Sequence, residues 1–158
     1  MNMTVPGPGP RYQALLQLLH TAETLWNSSR VFFARWELSP SQFNILNLLR
    51  LEPGGITQVE LSRQLIMHRS NVTGLVDRLE ARGLVRRQAH ASDRRAWRVG
   101  LSPAGRRLLE QILPEYYGAA EQVWGALSVK RADQLVRELG NVAANAERMA
   151  AETEETLP

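Results

Sequence analysis

The chain has 158 residues, a formal net charge of +3 and 44% hydrophobic residues, which suits one domain with extensions. It has no cysteine, which excludes disulfides, thiolate zinc sites and thiol switches. It also has no apolar run long enough to cross a bilayer. We expect a cytoplasmic protein that contacts no membrane and needs no metal or other cofactor.

Positive charge is concentrated between residues 63 and 107. This segment holds eleven arginines and three acidic residues, a net charge of +8. Charge gathered in one segment favours a polyanion as the partner. Arginine suits phosphate and guanine because its planar fork binds bidentately, although arginines elsewhere indicate a general preference for this residue.

The first 37 residues predict a flexible leader followed by one long helix. Residues 1–10 are rich in proline and glycine. From residue 11 to about 36, apolar side chains recur at helical spacing: Tyr12, Leu15, Leu16, Leu19, Trp26 and Phe33. Others widen this stripe, so the helix should be buried on more than one side, against its own core and against a second subunit.

Two capping signals place the next helices. Ser39 is a plausible N-cap with Gln42 three residues on, and the glycines after Pro53 end that helix near residue 51. Thr57 and Glu60 form a second capping box, which predicts a short helix to residue 64 or 65.

An amphipathic helix is then predicted over residues 68–82, followed by a hairpin. Its apolar residues follow i, i+3, i+4, i+7 spacing: Val72, Leu75, Val76 and Leu79. Gly83 stands where a left-handed cap would be. Residues 84–89 and 96–101 read as strands around a polar turn.

Two long helices complete the chain. Ser102 and Pro103 open a helix that could reach residue 127, although Pro114 should kink or break it. Ser128 caps a last helix to about residue 150, and residues 151–158 form an acidic tail.

This order of elements predicts a mainly helical (α+β) winged helix-turn-helix with about six helices and a two-stranded wing, over residues 38–102. In that arrangement the second helix of the motif enters the major groove, and the wing follows the backbone or the minor groove. Arg86, Arg87 and Arg98 on the wing strands either meet phosphates or lie solvated.

The residues opposite the apolar side of the predicted 68–82 helix are small and polar. They are Ser70, Thr73, Gly74, Asp77 and Ala81, with Asn71 and Arg78 on one flank and Arg69 near the N-terminal edge. Such side chains suit base edges, or they are merely solvated. The turn at Ser92–Arg95 is likewise either a solvated charged turn or an arginine-bearing tip suited to a narrow minor groove.

Residues 72–87, VTGLVDRLEARGLVRR, look like the recognition helix and first wing strand of the MarR family of bacterial transcription regulators. Ser92-Asp93-Arg94-Arg95-Ala96 followed by residues 99–105, VGLSPAG, resembles that family's wing signature. Residues 39–43, SPSQF, resemble the start of its second helix. The resemblance covers about residues 38–108.

The resemblance implies a homodimer whose N-terminal helix (11–37) and C-terminal helices (103–150) form a dimerisation layer. The dimer would bind a pseudo-palindromic operator in double-stranded DNA, most often as a repressor. Asp93 would brace Arg95 in the minor groove. The DNA-binding residues are then Arg69, Ser70, Asn71, Thr73, Gly74, Arg78, Arg86, Asp93, Arg94 and Arg95. Many relatives carry arginine where this chain has Gly74, so base preference cannot be transferred.

The resemblance also implies a small aromatic or anionic effector, for which the candidate residues are His20, Trp26, Arg30 and Trp36. The alternative is that they are structural, because aromatic residues at helical spacing are usually part of a core and an arginine near them can be an ion-pair partner. An enzyme is not expected, because the chain has no nucleotide-binding loop or nucleophile elbow. The alternatives to a regulator are a winged-helix protein-interaction module and a non-specific architectural DNA-binding module.

Overall fold

The computed structural model describes residues 8–65, 69–89 and 97–156. Within these ranges the chain forms six helices: α1 (Pro10–Ala34), α2 (Pro40–Leu51), α3 (Gln58–Gln64), α4 (Arg69–Ala81), α5 (Pro103–Trp124) and α6 (Val129–Thr156). Three strands accompany them: β1 (Ile56–Thr57), β2 (Val85–Ala89) and β3 (Trp97–Leu101). The predicted winged helix-turn-helix architecture is confirmed. The chain divides into one compact unit ending at Ile112 and a second beginning at Leu113.

Both predicted capping boxes are present. The Ser39 backbone N–H donates to Gln42 Oε1 over 2.9 Å, and the Gln42 N–H donates back to Ser39 Oγ over 3.2 Å. Thr57 and Glu60 repeat the pattern at 2.7 and 3.2 Å. These bonds satisfy N–H groups that have no partner inside the helix, and they therefore set the starts of α2 and α3.

The sheet has three antiparallel strands in the order β1-β3-β2: the predicted two-stranded wing, formed by β2 and β3, and a short additional strand, β1, that the sequence did not indicate. Ile56 pairs with Val99 and joins the hairpin to the start of α3. Gly55 makes this approach possible, because its φ is +68° and a Cβ there would lie 2.6 Å from the Val99 carbonyl oxygen. The sequence indicated only that α2 stops at these glycines.

The core of the first unit forms around α4. Its predicted inward residues are all buried, as are Leu61 of α3 and Val99 of β3. The ring of Phe33, at the end of α1, stacks on Phe43 of α2 with centroids 4.2 Å apart. α4 is therefore held by α2, α3 and the sheet, which gives its opposite face a defined orientation.

The start of α5 is bonded to the turn after α4. The Ser102 N–H donates to the Leu84 carbonyl over 3.0 Å, and Ser102 Oγ donates to the Gly83 carbonyl over 2.6 Å. A Cβ on Gly105 would lie 2.1 Å from the Leu84 oxygen, so only glycine fits this contact. The Ser-Pro-Ala-Gly run thus packs helix backbone directly against the turn at Gly83, which has the predicted left-handed conformation (φ +69°).

Pro114 lies inside α5, which continues to Trp124, so the helix is not broken there, and the alternative of a kink stays a prediction. Proline removes only the bond to the carbonyl of Glu110. Both residues are exposed, and water can satisfy that carbonyl. α6 extends through most of the acidic tail to Thr156. Among the described helices, none is long and apolar enough to cross a membrane.

Candidate nucleic-acid interface

The exposed side of α4 carries the polar side chains of Asn71 and Arg78, on either side of Gly74. At about 100° per residue the three positions share one stripe along the helix. A Cβ on Gly74 would meet nothing within 4 Å, so the space above its backbone is open. In the part of the chain that the structure describes, Asn71 and Arg78 take no part in a hydrogen bond or ion pair.

Thr73, in contrast, turns toward the wing. Its Oγ1 lies 2.9 Å from the side-chain amide of Gln58, the first residue of α3. In the amide orientation that satisfies both neighbours, Gln58 Nε2 donates to Thr73, and Gln58 Oε1 accepts from Arg87 Nη2 and Nε over 3.1 and 3.2 Å. Thr73 is half-buried. Its main interaction is therefore within the protein, in the hydrogen-bonded contact that joins α3, α4 and β2.

Arg87 of β2 forms ion pairs with two carboxylates on α4, those of Asp77 and Glu80. The Arg87 backbone N–H also donates to Glu80 Oε1 over 2.9 Å. Burial lowers the pKa of Arg87, but hydrogen bonds to Asp77 and Glu80 raise it, and the net shift is upward. The sequence left Arg87 either at phosphate or in solvent. Instead its permanently charged guanidinium joins β2 to α4.

Two further arginines of the basic segment also bind the chain itself. Arg98 Nε donates to the Gly55 carbonyl over 2.9 Å, across β1 and β3. Arg82 donates to the carbonyls of Glu37 and Trp36 over 2.5 and 3.1 Å, which fixes the end of α4 to the α1–α2 turn. Three of the eleven arginines in this segment therefore bind the chain itself.

Similarity to known proteins agrees with this architecture. The sequence model of the MarR family matches residues 36–96. Transcriptional regulator HosA of Escherichia coli O157:H7 is 31% identical over 116 residues, which cover 68% of this chain and 85% of HosA. The chain belongs to the MarR family. Its similar proteins are transcriptional regulators rather than enzymes.

Two other comparisons show how much of the chain is similar to known regulators. Transcriptional repressor MprA of Escherichia coli K12 is 35% identical over 91 residues, which cover 58% of this chain and 52% of MprA. The match thus spans about half the length of that relative. The crystal structure of a probable transcriptional regulator from Pseudomonas aeruginosa superposes with a TM-score of 0.68 at 30% identity, covering 79% of this chain and 93% of the other.

The structure describes only some of the other residues that are predicted to contact DNA. Arg86 is exposed on the strand that carries Arg87. Arg69 and Ser70 open α4, but their side chains are outside the description. The predicted bracing pair and the arginine beside it lie outside the described residues: Asp93, Arg94 and Arg95. Their roles in this MarR-family chain stay predictions.

The four effector candidates do not meet around one pocket. Trp26 and Arg30 lie one turn apart on the same exposed side of α1, whereas His20 is exposed on a different side. Trp36 instead contacts Phe32, with ring centroids 5.3 Å apart, and lies under the Arg35 guanidinium. Across the described ranges, no cluster of histidine and acidic residues could hold a metal ion.

Proposed function

We propose that this chain is a sequence-specific, double-stranded-DNA-binding transcriptional regulator that acts as a homodimer, most simply as a repressor. The observation that carries the proposal is the free polar stripe of α4, held in place by the tie from Arg87 to Asp77 and Glu80. A helix that recognises base edges needs such a rigid support, because the distinction between bases depends on bidentate hydrogen bonds with a defined geometry. Membership of the MarR family supports the same reading.

In this proposal α4 enters the major groove and the wing lies beside it. Asn71 and Arg78 reach base edges, while Arg69, Ser70 and Arg86 contact phosphates or nearby bases. At the wing tip Asp93 braces Arg95, which enters the minor groove beside Arg94. Thr73 acts mainly through Gln58, by holding α4 against α3.

The second subunit is proposed from the apolar surface of α1. Tyr12, Leu15, Leu16 and Leu19 share one stripe, and each is between 47 and 59% exposed. On α6, Val136, Val142 and Met149 are between 44 and 70% exposed. Apolar surface of this extent is costly in water, and burial in a homodimer removes the cost. Light scattering should give the mass of two chains, and Leu19→Glu should lower it.

The proposed effector is an aromatic carboxylate that stacks on Trp26 and pairs with Arg30. All four effector candidates lie within the described ranges, and among them only Trp26 and Arg30 share one exposed side of a helix. A panel of aromatic carboxylates should raise the melting temperature or weaken DNA binding in the wild type and not in Arg30→Ala. If no compound does either, the effector proposal is wrong and DNA binding is unaffected.

Selection of bound sequences from a random duplex pool tests the proposed function. A dimer with two recognition helices should enrich a two-fold symmetric motif whose half-sites lie about 10–10.5 base pairs apart. Arg95→Ala should weaken binding severalfold to a hundredfold. A protein-interaction module would enrich nothing. An architectural protein would bind the unselected pool equally well, with only the salt dependence of phosphate contacts.

A further inference from the structure

Gly74 leaves a gap in the middle of the exposed stripe of α4, and Arg78 lies one turn beyond it. We infer that Arg78 reaches back across this gap and, with Asn71, sets base specificity, Arg78 reading guanine and Asn71 reading adenine. The inference rests on the proposed DNA binding and specifies which side chains read bases. It differs from the sequence-based expectation, in which Thr73 shared this role.

The direction of the Arg78 side chain follows from helix geometry. Long side chains on a helix lean toward its N-terminus and cover the turn before their own Cα. For Arg78 that turn is the one containing Gly74, where a Cβ would have no neighbour within 4 Å. The guanidinium can therefore lie where a side chain at position 74 would otherwise stand, closer to the end of α4 that enters the groove.

The neighbouring acids do not capture Arg78. Asp77 and Glu80 flank it in sequence, but both are ion-paired to Arg87 on the wing side of α4. Arg78 is exposed and, within the described part of the chain, makes no ion pair of its own. Its fork is thus available for the O6 and N7 atoms of guanine, the pairing that arginine makes most often in the major groove.

Asn71 supplies the second base contact. It is exposed at the N-terminal end of the same stripe, and its amide suits the N6 and N7 atoms of adenine. The two Cα atoms lie about 10 Å apart along the axis, and the longer side chain of Arg78 leans further toward the N-terminus than that of Asn71, which brings the two polar groups closer together than their Cα atoms. A guanine within about three base pairs of an adenine is therefore expected in each half-site.

Sequence selection with variants tests this assignment. Arg78→Ala should reduce the preference for one guanine by about 5- to 150-fold and leave the other positions unchanged. Arg78→Gln should convert that guanine to adenine, since glutamine reads adenine. Gly74→Leu should fill the gap and reproduce the loss at the same base pair, whereas Gly74→Ala should not. Arg106→Ala, which removes one exposed arginine from α5, is the charge-matched control.

The outcomes separate this inference from the proposed function. If Arg78→Ala weakens binding to all sequences equally, or if Arg78→Gln leaves the guanine unchanged, Arg78 contacts phosphate and the inference is wrong. In both cases the wild type still selects a motif, so the proposed function stands. If the wild type selects no motif, the proposed function fails, and the inference with it. Melting curves of each variant verify that the fold is retained.

Discussion

Arg87→Ala should destabilise the fold by about 1.5–3 kcal/mol, although Arg87 lies on a strand of a surface wing. The guanidinium pairs with two carboxylates, of which Asp77 is 57% exposed and Glu80 36% exposed. Ion pairs this accessible contribute about 0.2–1 kcal/mol each. The two bonds to Gln58 add about 1 kcal/mol, and two carboxylates on adjacent turns are left to repel each other.

The matched control is Arg86→Ala, which removes the same atoms and the same charge from the neighbouring position of β2. Arg86 is exposed, so its loss should change the free energy of unfolding by less than about 0.5 kcal/mol. Urea unfolding of both variants measures the difference. A double-mutant cycle with Glu80→Gln should give a coupling of about 0.5 kcal/mol or more. Equal losses in the two variants, or no coupling, would refute the proposed tie between wing and recognition helix.

Two further predictions concern the contacts that hold α3 and the start of α5 in place. Gly105→Ala should cost about 1–3 kcal/mol in urea unfolding, because the new methyl group would overlap the Leu84 carbonyl; Gly118→Ala on the same helix has open space and should stabilise by about 0.5–1 kcal/mol. Thr57→Ala should cost about 1 kcal/mol through loss of the α3 cap. Hydrogen bonds from the Thr57 backbone and side chain hold the pKa of Glu60 below its usual value, and Thr57→Ala removes the side-chain bond. The advantage of the wild type over Thr57→Ala should therefore be full above the ordinary pKa of glutamate, about 4.3, and shrink as pH falls through the lowered pKa. A pH-independent difference would contradict this coupling.

Local sequence signals predicted most of the architecture. The boxes at Ser39 and Thr57 are short-range interactions, and the spacing of Val72 through Leu79 defines the buried side of α4 without reference to the rest of the chain. The glycine at residue 83 likewise specifies its own conformation. These features depend on neighbours within a turn or two, which is why a single sequence is sufficient for them.

The partners of charged side chains could not be predicted in the same way. A helical wheel gives the direction of Asp77, but the arginine that pairs with it lies ten residues away on another element. β1 is only two residues long, which is too short for an alternating pattern. Its partner Val99 lies some forty residues later in the sequence, so the pairing depends on the tertiary fold. The sequence therefore located the basic segment, whereas the structure showed that Arg82, Arg87 and Arg98 of this segment bind the chain itself.

The most direct test of the central claim is a titration of the dimer with its selected operator and with a shuffled duplex of the same composition, at one fixed salt concentration near 150 mM. A sequence-reading regulator should bind the operator about 10³-fold or more tightly than the shuffled duplex. Affinities that agree within about tenfold would contradict the claim, because phosphate contacts alone do not distinguish the two duplexes.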